Sequence, residues 1–279
     1  MNHTPITRRR ALVQTLRCAA AVVPGGQGVY ALAQGATSAI GTGSFLPYNK
    51  AAFEAKSLAD VLKALGAAPA QDSKDIALDA PELSENGASV PVAVSTTLPG
   101  VKRLLLLVPK NPFALAAAFT LGEGVEPRLA LRIKMNQTAD VLAVALLADG
   151  RTLVARREVK ITIGGCGVGV ESAVATRAPE PSKIRAQAGN PATVRVLLAH
   201  EMESGQRKDA TGKTVPPWHI QQVSVVHNAK LAAALEYGPS VAKNPLLQLS
   251  LQGAKPGDKI AVRWQDNRGE GRVDEALVS

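Results

Sequence analysis

Short apolar runs broken by turn-forming residues fill most of the chain, and they limit the possible fold more than any other feature. Runs such as SVPVAVSTTL, KRLLLLVP and LALRIKM are separated by Pro, Gly, Asn and Asp. Such runs are typical of strands, because helices need longer stretches with a 3.6-residue period. Asp149-Gly150 predicts a tight hairpin, since the central residues of that turn take positive φ. The pattern predicts an antiparallel, immunoglobulin-like β-sandwich over residues 51–166.

The strand pattern is interrupted once and then resumes. Residues 167–182 have no sustained periodicity and end in Pro179 and Pro181, which predicts a linker between two domains. Strand-like runs return over residues 183–279, with a tight turn expected at Asn228. The expected fold class is therefore all-β, with two immunoglobulin-like β-sandwich domains.

One helix is expected before the first sandwich. Apolar residues within residues 51–66 fall mostly on one helical face, and Gly66 provides a stop. They are Phe53, Leu58, Val61, Leu62 and Leu65. Aromatic residues make up only 3% of the chain, so we expect the cores to be built from Val, Leu, Ile and Ala.

The N-terminus has the layout of an export signal. Residues 1–33 combine a cationic start at Arg8 to Arg10, an apolar run and a small-residue Ala-Leu-Ala end. The segment resembles a twin-arginine signal, with Arg8 and Arg9 as the pair, and the alternative is a frayed basic N-terminus. A membrane anchor is not expected, because the apolar run is shorter than the roughly 20 residues that a bilayer requires. Residues 34–50 predict a flexible leader, and we expect a periplasmic location.

Removal of this signal changes both the charge and the cysteine count. The whole chain has a formal net charge of +9, and without the four arginines of residues 1–33 it has 28 − 23 = +5. A mild positive charge suits acidic partners or anions and gives no special ground for nucleic acid. Cys18 is removed with the signal, which leaves Cys166 as the one cysteine of the mature chain.

Cys166 lies among glycines directly after a strand-like run. Gly164, Gly165, Gly167 and Gly169 predict a segment that bends easily and is sterically open. An ordinary thiol has a pKa near 8.5 and is mostly protonated at neutral pH, and no base is evident in the neighbouring sequence. This favours a covalent attachment point whose thiol is activated in the active site of another protein. The alternatives are an inert core cysteine, a thiol enzyme, and a scaffold or adhesion module in which the cysteine is incidental.

Other polar residues give weaker signals. His200, His219 and His227 lack the spacing of metal ligands, and a cysteine–histidine catalytic pair would require one of them to approach Cys166 in space. We therefore expect no metal site and no cofactor. Residues 203–219, ESGQRKDATGKTVPPWH, predict a charged turn or long hairpin loop that is either solvated surface or a docking loop.

Longer motifs resemble a known pair of families. ITIGGCG, with KSLADVLKALGA and IKMNQTADVLAV before it, is similar to the SoxY family of thiosulfate-oxidation carrier proteins. HEMESGQRKDATGKTVPPWHIQQVSVVHN and GAKPGDKIAVRWQDNRGEGRVDEA resemble the SoxZ family. The resemblance runs from about residue 45 to the C-terminus and implies a fused carrier whose two domains pair with each other.

The resemblance also implies specific roles. Cys166 would carry sulfur intermediates through an S–S bond, on an arm formed by the neighbouring glycines, with Val168 in place of the last family glycine. A c-type cytochrome would conjugate thiosulfate to the thiol, a metal-dependent hydrolase would release sulfate, and a sulfane dehydrogenase could act afterwards. The carrier itself would catalyse nothing. The family arm is a free C-terminus, whereas here residues 167–182 would tether it at both ends.

Overall fold

A computed structural model describes residues 45–165 and 179–279 of the chain. The predicted export signal, most of the predicted leader, Cys166, Gly167, Gly169 and most of the predicted linker lie outside these residues. The described part contains two short helices and sixteen strands. The helices are α1 (Lys50–Glu54) and α2 (Leu58–Ala64).

Strands account for the rest of the regular structure. In the first half they are β1 (Gln71–Asp72), β2 (Ile76–Asp79), β3 (Leu83–Asn86), β4 (Val90–Thr96), β5 (Val101–Leu107), β6 (Leu115–Leu121), β7 (Arg128–Ile133), β8 (Ala139–Leu147) and β9 (Thr152–Ile163). In the second half they are β10 (Lys183–Gln187), β11 (Ala192–Leu197), β12 (Ile220–His227), β13 (Lys230–Tyr237), β14 (Leu246–Leu251), β15 (Lys259–Asp266) and β16 (Gly271–Leu277).

The structure divides the predicted helix over residues 51–66 into α1 and α2. Ala55 is extended, with ψ 147°, and therefore ends α1. Ser57 then begins α2 as an N-cap, because its hydroxyl accepts a hydrogen bond from the Asp60 N–H at 3.1 Å. The predicted apolar face is retained: Phe53, Val61 and Leu62 are buried. They pack on buried residues of the sheet that contains β5, β6 and β8.

The strands form two sheets, which confirms the all-β, immunoglobulin-like fold class. One sheet has the order β1-β9-β8-β5-β6-β13-β12-β15-β16, with β3 also paired to β9, and the other has the order β10-β11-β14-β7-β4-β2. Two predicted turns are confirmed. Gly150, with φ 87°, lies in the β8–β9 hairpin, and Asn228 and Ala229, with φ 45° and 67°, form the β12–β13 turn.

Both sheets contain strands from both halves of the chain. β6 of the first half pairs with β13 of the second along Ala117–Leu121, and Ala130 of β7 pairs with Gln248 of β14. An ion pair between Arg103 of β5 and Glu236 of β13 crosses the same boundary. The two halves are therefore paired within the molecule by backbone hydrogen bonds as well as by side chains.

The core between the sheets is continuous through both halves. As the composition predicts, it is mainly Val, Leu, Ile and Ala, with a few large aromatic side chains, including Phe119, Tyr237 and Trp264. Residues 45–165 and 179–279 contain no helix that is long and apolar enough to cross a membrane. The charged segment 203–219 lies in the connection from β11 to β12, which belong to different sheets, and folds back on itself as the predicted long hairpin loop. Bridges from Glu203 to Trp218 and from Lys208 to Thr214 close this loop.

Candidate attachment site for a carrier thiol

The chain reaches Cys166 from β9, the longest strand among residues 45–165 and 179–279. β9 pairs with β8 along most of its length and, near its end, with the short parallel strand β3. The last pair joins Asn86 to Ile163, three residues before Cys166. Ile163 is 60% exposed. The backbone of β9 is therefore paired with neighbouring strands up to Ile163, directly before Gly164, the first residue of the predicted arm.

Three backbone hydrogen bonds fix the residues between β9 and the cysteine. The Gly87 N–H donates to the Ile163 carbonyl at 2.8 Å, and the Met135 N–H donates to the Gly87 carbonyl at 2.7 Å. The Gly165 N–H then donates to the Met135 carbonyl at 2.9 Å. We call Gly87, Ile163, Gly165 and Met135 the backbone clamp. It joins three segments that are distant in sequence.

Glycine is required in this clamp because the backbones approach closely. A Cβ atom at Gly165 would overlap backbone atoms of Gly87 and Ala88, and a Cβ atom at Gly164 would overlap the Asn136 carbonyl. Gly165 is also buried. The interpretation of Gly164 and Gly165 as open, easily bent arm residues therefore needs correction. In the structure these two positions are tightly packed, since only a residue without a side chain fits there.

A buried polar cluster supports the clamp from the side of the second half. The Asn111 amide donates to the Lys134 carbonyl at 2.7 Å and accepts from the Asn136 N–H at 3.0 Å. The Lys134 side chain is buried, and its ammonium donates to the carbonyls of Met202 and Pro239. Lys134 precedes Met135 of the clamp, so the root of the predicted arm is fixed partly by backbone groups of the second half.

The histidines lie in packed surroundings. His200 Nδ1 accepts a hydrogen bond from the Met202 N–H at 2.9 Å, so the ring of a neutral His200 carries its proton on Nε2, 3.5 Å from Oδ2 of Asp266. His219 is buried, and neither of its ring nitrogens has a hydrogen-bond partner. Burial, His200 and the Lys134 charge lower the pKa of His219 to about 4. A neutral imidazole of this kind is a weak base.

His227 makes a different contact. Its Nε2 lies 2.8 Å from Oδ2 of Asp258 near the β12–β13 turn. A side-chain hydrogen bond from Asn228, a backbone hydrogen bond from Lys255 and the His227 ring hold the pKa of Asp258 below its ordinary value. Among the described residues, no group of three or more His, Cys, Asp or Glu could hold a metal ion.

The structure brings together only part of the predicted site. Gly164 and Gly165 lie at the clamp, whereas Cys166, Gly167 and Gly169 lie outside the described residues. The sequence argument missed Gly87, Asn111, Lys134 and Met135. The motifs SENGASV and IKMNQ contain three of these four residues, but nothing in their local pattern indicates that they meet the residues before Cys166.

After segment 166–178, the next described residues of the chain contact β16. The Pro179 carbonyl accepts a hydrogen bond from the Arg272 guanidinium at 3.4 Å, and the Ser182 N–H donates to the Asp274 carboxylate at 2.8 Å. Backbone or side-chain contacts therefore hold residues on both sides of segment 166–178.

Two family models match the chain in succession. The model described as sulfur oxidation protein SoxY matches residues 61–166, and the model described as sulphur oxidation protein SoxZ matches residues 182–276. A solved structure, that of the sulfur carrier protein SoxY from Chlorobium limicola f thiosulfatophilum, shares 36% sequence identity. The match covers 37% of this chain and 93% of that one, with a TM-score of 0.34. The comparison with curated proteins found no match.

Proposed function

This chain belongs to the SoxY and SoxZ families as a fusion with the SoxY part first, and from that premise we propose that it is a periplasmic, covalent carrier of sulfur intermediates. The attachment point is the thiol of Cys166, where the SoxY match ends. The carrier catalyses nothing itself and is a substrate of other proteins of the sulfur-oxidation system.

The single observation that supports this proposal best is the backbone clamp. It holds the chain rigidly through Gly165, directly before the cysteine, and the SoxZ half supplies carbonyls that bind Lys134 beside it. A carrier needs an arm with a fixed base, because the thiol must leave the folded body while that base stays in place. In this proposal the linker that the sequence predicts over residues 167–182 takes the place of the free chain end of a separate SoxY protein.

The loading step on Cys166 is oxidative. The S–H bond of Cys166 and one thiosulfate give a Cys–S–S–SO₃⁻ adduct, one proton and two electrons, and a c-type cytochrome complex accepts the electrons. In the next step a metal-dependent hydrolase adds water and breaks the bond between the two outer sulfurs. Sulfate and one proton leave, and a persulfide, Cys166–S–SH, remains. A sulfane dehydrogenase could oxidise that sulfur further.

Intact mass spectrometry tests the proposal. Full-length protein is isolated from cells grown with and without thiosulfate, and its mass is measured before and after reductant. We expect a reductant-labile adduct with the mass of a thiosulfonate or of added sulfur in the thiosulfate-grown sample. The adduct should vanish in Cys166→Ser, whose mature chain has no cysteine. Periplasmic fractionation in the same cells checks the location.

Two results would contradict the proposal. One is the absence of any such adduct on Cys166 while thiosulfate is being oxidised. The other is normal thiosulfate oxidation by cells that contain only Cys166→Ser. The second result would favour the scaffold interpretation, because a scaffold does not need the thiol.

A further inference from the structure

The outer face of three neighbouring strands, β10, β11 and β14, carries positive charge beside a small apolar pair. Along these strands buried residues alternate with outward-facing ones. We call the outward-facing set the basic face. We limit it to two rows of strand partners, one of Lys183, Leu197 and Leu246 and the other of Arg185, Arg195 and Gln248.

The register places like charges opposite each other in this face. Arg185 is the direct strand partner of Arg195, and such a pair destabilises a sheet. Arg195 Nε donates to Oε1 of Gln248 at 3.0 Å, which orients the guanidinium and leaves its charge uncompensated. β10, β11 and β14 contain no Asp or Glu. Within residues 45–165 and 179–279, no ion pair includes Lys183, Arg185 or Arg195.

Apolar side chains occupy the next row of the same face. Leu197 is the strand partner of both Lys183 and Leu246, and Leu246 is 39% exposed. The face therefore combines an apolar pair with neighbouring cations, on a hydrogen-bonded sheet. This combination fits a protein surface better than a nucleic acid, because the face has no aromatic side chain on which a base could stack.

The position of the face relates it to the carrier cysteine. β10 is the strand into which the chain returns, and Lys183 follows Cys166 by 183 − 166 = 17 residues. Contacts from Arg272 and Asp274 fix residues 179 and 182 directly before the face. The thiol and the first residue of the basic face are therefore only 17 positions apart in the chain. An enzyme that binds Cys166 must lie within the reach of that segment from the basic face.

We propose that the basic face docks an acidic protein surface with a small apolar patch on the enzyme that loads Cys166. This inference rests on the proposed carrier function. An acidic partner surface would offset the opposed charges of Arg185 and Arg195, which cost stability in the free protein. Because the face belongs to the SoxZ half and the thiol to the SoxY half, the fusion keeps docking and loading in one molecule.

The loading reaction provides the test. The purified full-length chain is the varied substrate of the thiosulfate-conjugating cytochrome complex of the same organism, at low and high salt. The double variant Arg185→Gln with Arg195→Gln is compared with Lys102→Gln combined with Lys230→Gln, which removes two exposed charges of the ten-stranded sheet. We expect the first variant to raise KM for the carrier about fivefold at unchanged kcat and to weaken its salt dependence, since charges at an interface rim act mainly on association.

Three results would contradict the docking proposal or the carrier function on which it rests. Wild-type KM values for both double variants would overturn the proposal. A similar increase for both variants would indicate only a general effect of net charge, and would also overturn it. Failure of the wild-type chain to be loaded at all would instead contradict the carrier function. A thermal melt of each variant checks that the fold is retained.

Discussion

Gly165 and Gly167 flank Cys166, the proposed attachment point, but are expected to have different roles. Gly165 is buried in the backbone clamp, and a methyl group there would overlap Gly87. We expect Gly165→Ala to lower the free energy of unfolding by about 1–3 kcal/mol, as overpacking does elsewhere. Gly167, in the predicted arm, is the matched position. Gly167→Ala should leave the melting temperature unchanged and slow the loading of Cys166.

Chemical denaturation of the two variants checks this difference. The clamp would lose its assigned role if Gly165→Ala were as stable as the wild type. The arm interpretation would fail for Gly167 if Gly167→Ala were loaded at the wild-type rate.

His219 makes stability depend on pH. Burial, His200 and the charge of Lys134 lower its pKa to about 4, and Asp266 opposes this shift. Above pH 6.5 neither folded nor unfolded His219 is protonated. As the pH falls from 6.5 towards 4, only the unfolded chain gains the proton, so stability is lost by up to about 3 kcal/mol. Below pH 4 the contribution is constant.

Guanidinium unfolding at pH 7.5, 5.5 and 4.5 measures this contribution. Because carboxylates also titrate in this range, the informative quantity is the difference between the wild type and His219→Asn. We expect that difference to shrink, or to favour the variant, as the pH falls. Parallel curves for the two proteins would show that folding does not lower the pKa of His219.

The strand pairs at the boundary between the halves depend on a buried ion pair. Glu236 of β13 binds Arg103 of β5 and also accepts the Asn49 N–H at 2.9 Å. Glu236→Ala leaves the guanidinium without its partner, although Arg103 keeps some exposure. We expect a loss of about 2–4 kcal/mol, near the range for a broken buried pair. Glu82→Ala, which removes an exposed pair with Lys160, should cost at most about 1 kcal/mol.

Thermal and chemical unfolding of both variants checks this prediction. Equal losses for Glu236→Ala and Glu82→Ala would mean that the Arg103–Glu236 pair contributes no more than a surface pair. A double variant with Arg103→Met would then separate the cost of an unpaired charge from the value of the interaction.

Local patterns predicted the elements well and their assembly poorly. Turn chemistry identified the hairpins at Gly150 and Asn228, because the backbone there must take positive φ. The division of the helix at Ser57 depends on a single capping contact that competes with a continuing apolar face. The β6–β13 pairing could not be predicted, because Ala117 and Tyr237 are 120 positions apart (237 − 117) and each strand also fits an isolated sandwich. The backbone clamp could not be predicted for the same reason, because it joins three segments that are distant in sequence.

The two halves of the molecule should remain associated after the predicted linker, residues 167–182, is cut. Both sheets run through both halves, and one core cluster contains Phe119 of the first half and Leu235 of the second. We place a protease site at residues 170–175 and cut the folded protein. The two fragments should elute together from a sizing column, because the β6–β13 and β7–β14 hydrogen bonds and the shared core do not depend on chain connection.

Dilution makes the cleavage experiment quantitative. Cutting removes the high effective concentration that a linker provides, so fragments held only by proximity would separate as the protein is diluted. The same cut in Glu236→Ala is the matched control, and its fragments should separate at a higher protein concentration than those of the wild-type sequence. If the wild-type fragments separate at micromolar concentration, the linker rather than the continuous sheets maintains the paired structure. The root of the arm at Lys134 would then lose its support from Met202 and Pro239 as well.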